Sequence, residues 1–342
     1  MNCWKLDHYV FVHDNTGKVS KCCDMTNDRP KFVNFDSMMN SKWLSDVREK
    51  MTNNIWPDEC IRCQQVEEIG KKSNRYIRPV DYKKLLDIKE DFLVVMGNAL
   101  FDNHCNAACF SCHAGASTKW AAIHNGKNIL VQFGFDTVFN KLPSDRIIEI
   151  QISGGEPCIS KNVKRFLKNI PESIRIVRII TNGSRYMPEV EDLINSGIEV
   201  SVTVSLDGIG DVHDYVRWPI KFVDVHEVIQ QYIKLSKKYN VFSFSTWTTV
   251  SSINIFDLRN IDRYLKNEGL TLRYSFLDEP KILNVKYKNK FTLSVLDNDE
   301  FKELNINDKI AYSDNNDNEL REFLEKEEKF RKITSPYYEN IL

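Results

Sequence analysis

The chain has 342 residues, 42% of them hydrophobic, and its 47 Lys and Arg against 48 Asp and Glu give a formal charge of -1. The apolar content can fill a large core, and the even charge leaves no global basic field of the kind that draws nucleic acid. No run of 18 apolar residues marks a membrane span, and Met1 to Asp7 lacks a signal peptide's apolar stretch, so a cytoplasmic protein with no membrane partner is expected.

Eight of the nine cysteines fall in two groups, residues 3–63 and 105–112, with Cys158 outside both. In a reducing compartment, grouped cysteines point to metal more than to disulfides.

In chain order, residues 9–13 read as a strand, 14–18 as a turn and 19–21 as a second strand. Such a hairpin brings Cys3 and Cys22 side by side, and the Cys60-Ile61-Arg62-Cys63 turn supplies two more thiols for a four-thiolate site. Zinc and an iron-sulfur cluster both suit those spacings. Residues 43–51 read as a short amphipathic helix and 67–78 as a polar connection.

From residue 93 strands alternate with helices. Strands are expected over 96–101, 147–152, 174–180, 198–206, 241–250 and 270–276, and helices over 163–170, 190–196, 223–237 and 257–267. Successive βα units imply a parallel sheet whose ligands sit beyond the carboxyl ends of the strands. Suspicious residues cluster at those ends. Cys105, Cys109 and Cys112, spaced C-x3-C-x2-C, follow the first strand. Ser153 to Pro157 follows the second, Thr181 to Ser184 the third, and Ser205 to Gly208 the fourth.

Each has a plainer reading beside it. The cysteine triplet could be a zinc knuckle or buried thiols, the glycine pair a tight turn, and Thr181-Asn182 turn formers. Arg217 could be a surface residue pairing with Asp211 or Asp214. His104 and His113 flank the cysteines as bystanders or as groups that tune a metal, and Cys158 fits a buried small hydrophobe. Ser117 is expected to cap a helix carrying Trp120. Residues 297–318 are acidic and Asn-rich, and 319–332 read as a charged helix with Leu320, Phe323 and Leu324 on one face. That helix is expected to cover an open barrel edge, dock on the cysteine-rich segment or bind a partner.

The C-x3-C-x2-C loop resembles the signature of the radical S-adenosylmethionine (SAM) superfamily. Three thiolates hold three irons of a [4Fe-4S] cube and leave the fourth for a ligand. The resemblance implies an α/β fold with a partial (β/α)6 barrel, in which the free iron binds SAM, one electron cleaves it, and a 5′-deoxyadenosyl radical takes a hydrogen atom from a substrate. Position by position, Gly154, Gly155, Glu156 and Pro157 resemble the family's SAM-amino motif. Ser205, Asp207 and Arg217 resemble its SLDG…HD…R segment, in which the serine and arginine hold SAM's carboxylate. Thr181 and Asn182 are candidates for the ribose or the substrate. Before the last cysteine, where the family usually has an aromatic residue near the adenine, stands Ser111, with Phe110 one place earlier.

The first segment resembles the SPASM and twitch auxiliary modules, which open with C-x9-15-G-x4-C. Cys3, Cys22, Cys60 and Cys63 would then hold a second [4Fe-4S] cluster, with Cys23 the substitute for Cys22. The implied organisation is an auxiliary module at 1–80, a radical SAM core at 90–280 and a C-terminal extension at 281–342. Implied partners are SAM, an electron donor such as flavodoxin or ferredoxin, and a peptide or protein substrate. A small-molecule or sugar-type substrate is the alternative, and a zinc-bearing scaffold with no catalysis is the alternative from another class.

Overall fold

A computed structural model describes residues 1, 3–13, 17–23, 25, 29–68, 70, 72–76, 91–97, 100–126, 139–287 and 314–334. Its eight strands are β1 (Tyr9–Val12), β2 (Val19–Ser20), β3 (Leu93–Gly97), β4 (Ile147–Ile152), β5 (Ile176–Thr181), β6 (Glu199–Ser205), β7 (Phe242–Val250) and β8 (Tyr274–Phe276). They form one sheet in the order β2-β1-β3-β4-β5-β6-β7-β8, so the fold is mixed α/β as expected. The β1–β3, β3–β4, β4–β5 and β7–β8 pairs are parallel, the β1–β2 hairpin is antiparallel, and Val19 of β2 makes an antiparallel bridge to Phe32. Among the described residues no helix is long and apolar enough to cross a membrane.

The chain divides into two compact units. The first comprises Met1–Asn103, Val131–Ile179 and Pro188–Ser201. Here the expected hairpin forms with Phe11 opposite Ser20, and its first strand runs parallel to β3. Trp4, Tyr9, Phe11, Phe92, Val94, Ile148 and Ile176 bury one another. The helix α1 (Lys42–Thr52), expected over 43–51, is capped by Ser41, which accepts from the Leu44 N–H. Its Leu44, Val47 and Met51, at helical spacing, pack on Leu6, Cys22 and Met25. The strand expected at 96–101 lies instead at Leu93–Gly97. The buried run Phe92 to Val95 supplies its apolar faces, and a Cβ at Gly97 would stand 2.7 Å from the Val12 carbonyl oxygen.

The second unit comprises His104–Leu130, Ile180–Met187 and Val202–Leu342. It contains α2 (Thr118–Asn125), α3 (Asp211–Val216), α4 (Phe222–Lys238), α5 (Leu258–Asn267) and α6 (Asp314–Arg331). In α4 the residues Val225, Val228, Ile229, Tyr232 and Ile233 are buried, the inward stripe of an amphipathic helix. The charged helix starts five residues before its expected start, and its Leu320 and Leu324 join Phe110, Tyr215, Val216, Ile253 and Leu283 in one core. It therefore packs beside the Cys105–Cys112 loop, a position outside those expected from its sequence.

Candidate functional site

The loop carrying Cys105, Cys109 and Cys112 is held by α2, by the end of α3 and by the end of β5, in addition to α6. At its start, the Cys105 N–H donates to Thr118 Oγ1 at 3.2 Å, and Ser117 Oγ donates to the Ala107 carbonyl at 2.5 Å. Ser117 also accepts from the Trp120 N–H, the expected helix cap, so the cap of α2 doubles as a loop anchor. From the end of α3 come two backbone bonds, Ala108 N–H to the Trp218 carbonyl at 2.7 Å and Phe110 N–H to the Val216 carbonyl at 3.1 Å. From the end of β5, Asn182 Nδ2 donates to Asn106 Oδ1 at 2.9 Å, and Asn106 Nδ2 donates to Ser184 Oγ at 3.0 Å.

The segment flanked by Val216 and Trp218 thereby places Arg217 beside the thiols. Arg217 Nη1 donates to Asp207 Oδ2 at 2.5 Å, and Asp207 Oδ1 accepts the Thr249 N–H at 2.7 Å. Its partner is thus Asp207, and neither Asp211 nor Asp214. Burial works against the guanidinium charge, but Cys109 and Cys105 once deprotonated, with the Asp207 carboxylate, outweigh it and hold the pKa above its usual value. Arg217 Nε is buried with no hydrogen-bond partner among the described residues. A buried donor left unmade is costly, and a second acceptor such as a ligand carboxylate would satisfy it.

Burial pushes the Cys109 thiol up, with Arg217 pulling the other way. Burial and then the neighbouring Cys109 push Cys112 up to about 12. Free thiols here are therefore protonated, and a metal must displace those protons to bind. His213 is held neutral, its pKa lowered to about 3 by burial and by Arg217. His104 and His113 are exposed. Phe110 is buried against Tyr215, ring centroids 4.6 Å apart, and so belongs to the core.

Thr181 is buried and accepts the Gly183 N–H at 3.1 Å, while Asn182 Oδ1 accepts the Ser184 N–H at 2.9 Å. Asn182 is thus tied into the loop framework. Ser205 closes β6, half-buried.

Gly154, Gly155, Glu156 and Pro157 lie in the first unit, after β4. Both glycines have positive φ, +78° and +59°, a conformation that admits close backbone approach to a ligand. Glu156 is buried, with Oε1 accepting the Cys158 N–H at 3.0 Å, and Cys158 is buried as expected. Ser160 Oγ and Asn162 Nδ2 both donate to Asp102 Oδ2, at 2.6 and 3.0 Å, and so fasten the far end of this turn.

The same unit gathers Cys3, Cys22, Cys60 and Cys63 around one cavity, with Lys5 and Arg75 on its wall. Gly17 takes φ +59°, and its N–H donates to the His13 carbonyl, closing the hairpin. Of the adjacent pair, Cys22 faces the cavity, while Cys23 packs on the aromatic cluster of Trp4, Tyr9 and Phe11. Arg75, which the sequence did not single out, pairs with Glu67 at 2.6 Å and stands 5.4 Å from the Trp56 ring. Among the described residues no three His, Cys, Asp or Glu close around a single metal ion; the four thiols share a cavity wall instead.

No family model matches the chain. Over 172 residues it is 29% identical to a probable GTP 3',8-cyclase of Methanocaldococcus jannaschii, covering 50% of this chain and 55% of the relative. Over 128 residues it is 23% identical to the sporulation killing factor maturation protein SkfB of Bacillus subtilis, covering 37% of this chain and 30% of the relative. These relatives are radical SAM enzymes. The chain spans about half the length of the cyclases it matches. Among solved structures, anSMEcpe with bound AdoMet superposes with a TM-score of 0.40 at 17% identity, covering 58% of this chain and 54% of that one. Streptococcus suis SuiB bound to S-adenosylmethionine gives 0.41 at 10% identity, covering 95% and 70%.

Proposed function

We propose that the chain is a radical SAM enzyme built on a partial (β/α)6 barrel at 90–280, with an auxiliary iron-sulfur module at 1–80 and a C-terminal extension at 281–342. The observation that carries this reading is Arg217, held by Asp207 against the C-x3-C-x2-C loop with a buried Nε still lacking an acceptor. When bound, a [4Fe-4S] cluster on Cys105, Cys109 and Cys112 supplies the electron that cleaves SAM, and the resulting 5′-deoxyadenosyl radical abstracts a substrate hydrogen atom.

The protein's share is binding and orientation. Arg217 and Ser205 take SAM's carboxylate, Asp207 aims the guanidinium, and Glu156, with the backbone of Gly154, Gly155 and Pro157, takes its amino group. Thr181 and Asn182 line the ribose side, Asn182 through the loop it already holds. Cys3, Cys22, Cys60 and Cys63 hold the auxiliary cluster, and a flavodoxin or ferredoxin supplies electrons. The protein works in the cytoplasm.

The substrate is a peptide or protein, in keeping with the likeness to a maturation protein, SkfB. A small-molecule substrate is the second reading, favoured by the higher identity to cyclases named for GTP. Anaerobic reconstitution with iron and sulfide tests the class. Iron-sulfur absorbance and release of 5′-deoxyadenosine from SAM plus reductant support it; a colourless, zinc-bearing protein that releases none rejects it.

A further inference from the structure

The cysteine loop is gripped by a residue that the proposed chemistry does not use. Arg331, in the last turn of α6, is 2% exposed. Its Nε and Nη2 donate to the Ala108 carbonyl at 2.9 and 2.8 Å, and Nη2 reaches the Cys109 carbonyl at 3.5 Å. The guanidinium carbon lies 4.2 Å from the centroid of the Phe110 ring. One side chain thus binds the main chain before and at the middle cysteine and covers the next residue's ring. A rigid, always-charged fork can do this and a lysine cannot.

The charge is set in a buried network. Nη1 donates to the Glu327 carboxylate and to the Glu327 carbonyl at 3.1 Å. Glu327 also meets His124 Nε2 at 2.9 Å, and His124 stacks on Trp120 with ring centroids 3.6 Å apart. The side chains of His124, Glu327 and Arg331 are 8, 7 and 0% exposed. Burying such groups costs desolvation that Leu320 and Leu324, which already dock the helix, do not require.

Resting on the radical SAM reading, we infer that Arg331 is a positioning residue: it fixes the Ala108–Cys109 turn for cluster binding, and its charge, balanced by Glu327, raises the cluster's reduction potential. A cation in a dry site favours the more negative, reduced cluster. Its hydrogen bonds also polarise the peptide between Ala108 and Cys109, strengthening the Cys109 N–H as a donor.

The test is a redox titration, followed by electron paramagnetic resonance, of the full chain reconstituted without oxygen, reading the signal that shifts on adding SAM. Arg331→Gln removes a positive charge and should lower the potential, with at least a tenfold fall in the reduced-to-oxidised ratio at fixed poise, 59 mV for one electron. Glu327→Gln removes a negative charge and should raise it. Arg331→Lys keeps the charge and should hold the potential near the parent value while losing cluster faster on dilution. Opposite signs support the proposal, since a merely structural role predicts the same sign or none. If Arg331→Gln does not fold, the other two variants decide. A potential indifferent to both charge changes, or moving the same way in both, overturns the proposal. No SAM-responsive cluster in the parent chain overturns the reading beneath it.

Discussion

Asp207 and Arg217, ten residues apart, meet at 2.5 Å with the carboxylate 1% and the guanidinium 13% exposed. The second oxygen of Asp207 is taken by the Thr249 N–H and its carbonyl by Asn254, so it holds Arg217 in one orientation. Arg217→Ala should weaken SAM binding and also destabilise the fold by about 3–5 kcal/mol, because a buried carboxylate loses its counter-charge. Asp207→Asn leaves the buried guanidinium without its counter-charge and sets an amide NH2 against either Arg217 or the Thr249 N–H, so it should destabilise by a similar amount and also weaken SAM binding. Calorimetric titration and urea unfolding separate the two effects; unchanged SAM affinity in both variants would reject Arg217 as a ligand.

The auxiliary cavity makes an asymmetric prediction about adjacent cysteines. Cys22→Ser should remove about four irons per reconstituted chain from about eight, whereas Cys23→Ser should leave the iron content intact. Iron and acid-labile sulfide assays read this directly. About four irons and one zinc in the parent chain would make the auxiliary site a zinc site.

A hydrophobic test concerns the helix behind the loop. Leu324, fully buried against Phe110, Tyr215 and Leu283, should cost about 2–5 kcal/mol when cut to Ala. Because α6 carries Arg331 to the loop, amide hydrogen exchange at residues 105–112 should accelerate in the same variant. Unchanged exchange there would show that the loop holds its shape without the helix.

Acid sensitivity has a definite window. Burial, then Arg29 and Lys31, lowers the pKa of His13 to about 4 from its ordinary 6.5. The unfolded chain therefore binds the extra proton between these values, and linkage makes stability fall as pH drops from about 6.5 toward about 4. Its Nε2 lies 2.9 Å from Ser20 Oγ, a contact that His13→Gln can keep in part. Urea midpoints of the metal-free protein at pH 7 and pH 5 should differ less in His13→Gln than in the parent.

Much of this was legible in the residues. The apolar run at 147–152 placed β4 and the amphipathic pattern at 43–51 placed α1 closely, and the strand–turn–strand pattern over residues 9–21 marked a hairpin that brings Cys3 and Cys22 to one cavity with Cys60 and Cys63. Motifs at strand ends led to Asp207, Arg217, Thr181 and Asn182. What escaped was long-range pairing without periodicity. Asn106, which no motif singles out, joins the loop to Asn182 and Ser184. Arg331 sits among the charges of a helix read as charged with one apolar face of Leu320, Phe323 and Leu324, and its partner carbonyl 223 residues away distinguishes it. The start of β3 was misplaced because Phe92 to Met96 and Leu100 to Phe101 are equally apolar, and the close approach at Gly97 is a tertiary fact.

The central claim is a three-thiolate cluster that cleaves SAM. It is tested most directly by 5′-deoxyadenosine formation in the anaerobically reconstituted parent and in Cys109→Ala, both supplied with SAM and reductant. The parent should produce it and Cys109→Ala should not, while keeping a folded circular dichroism spectrum. Equal production by both, or none by a parent whose iron sites are full, would contradict the account.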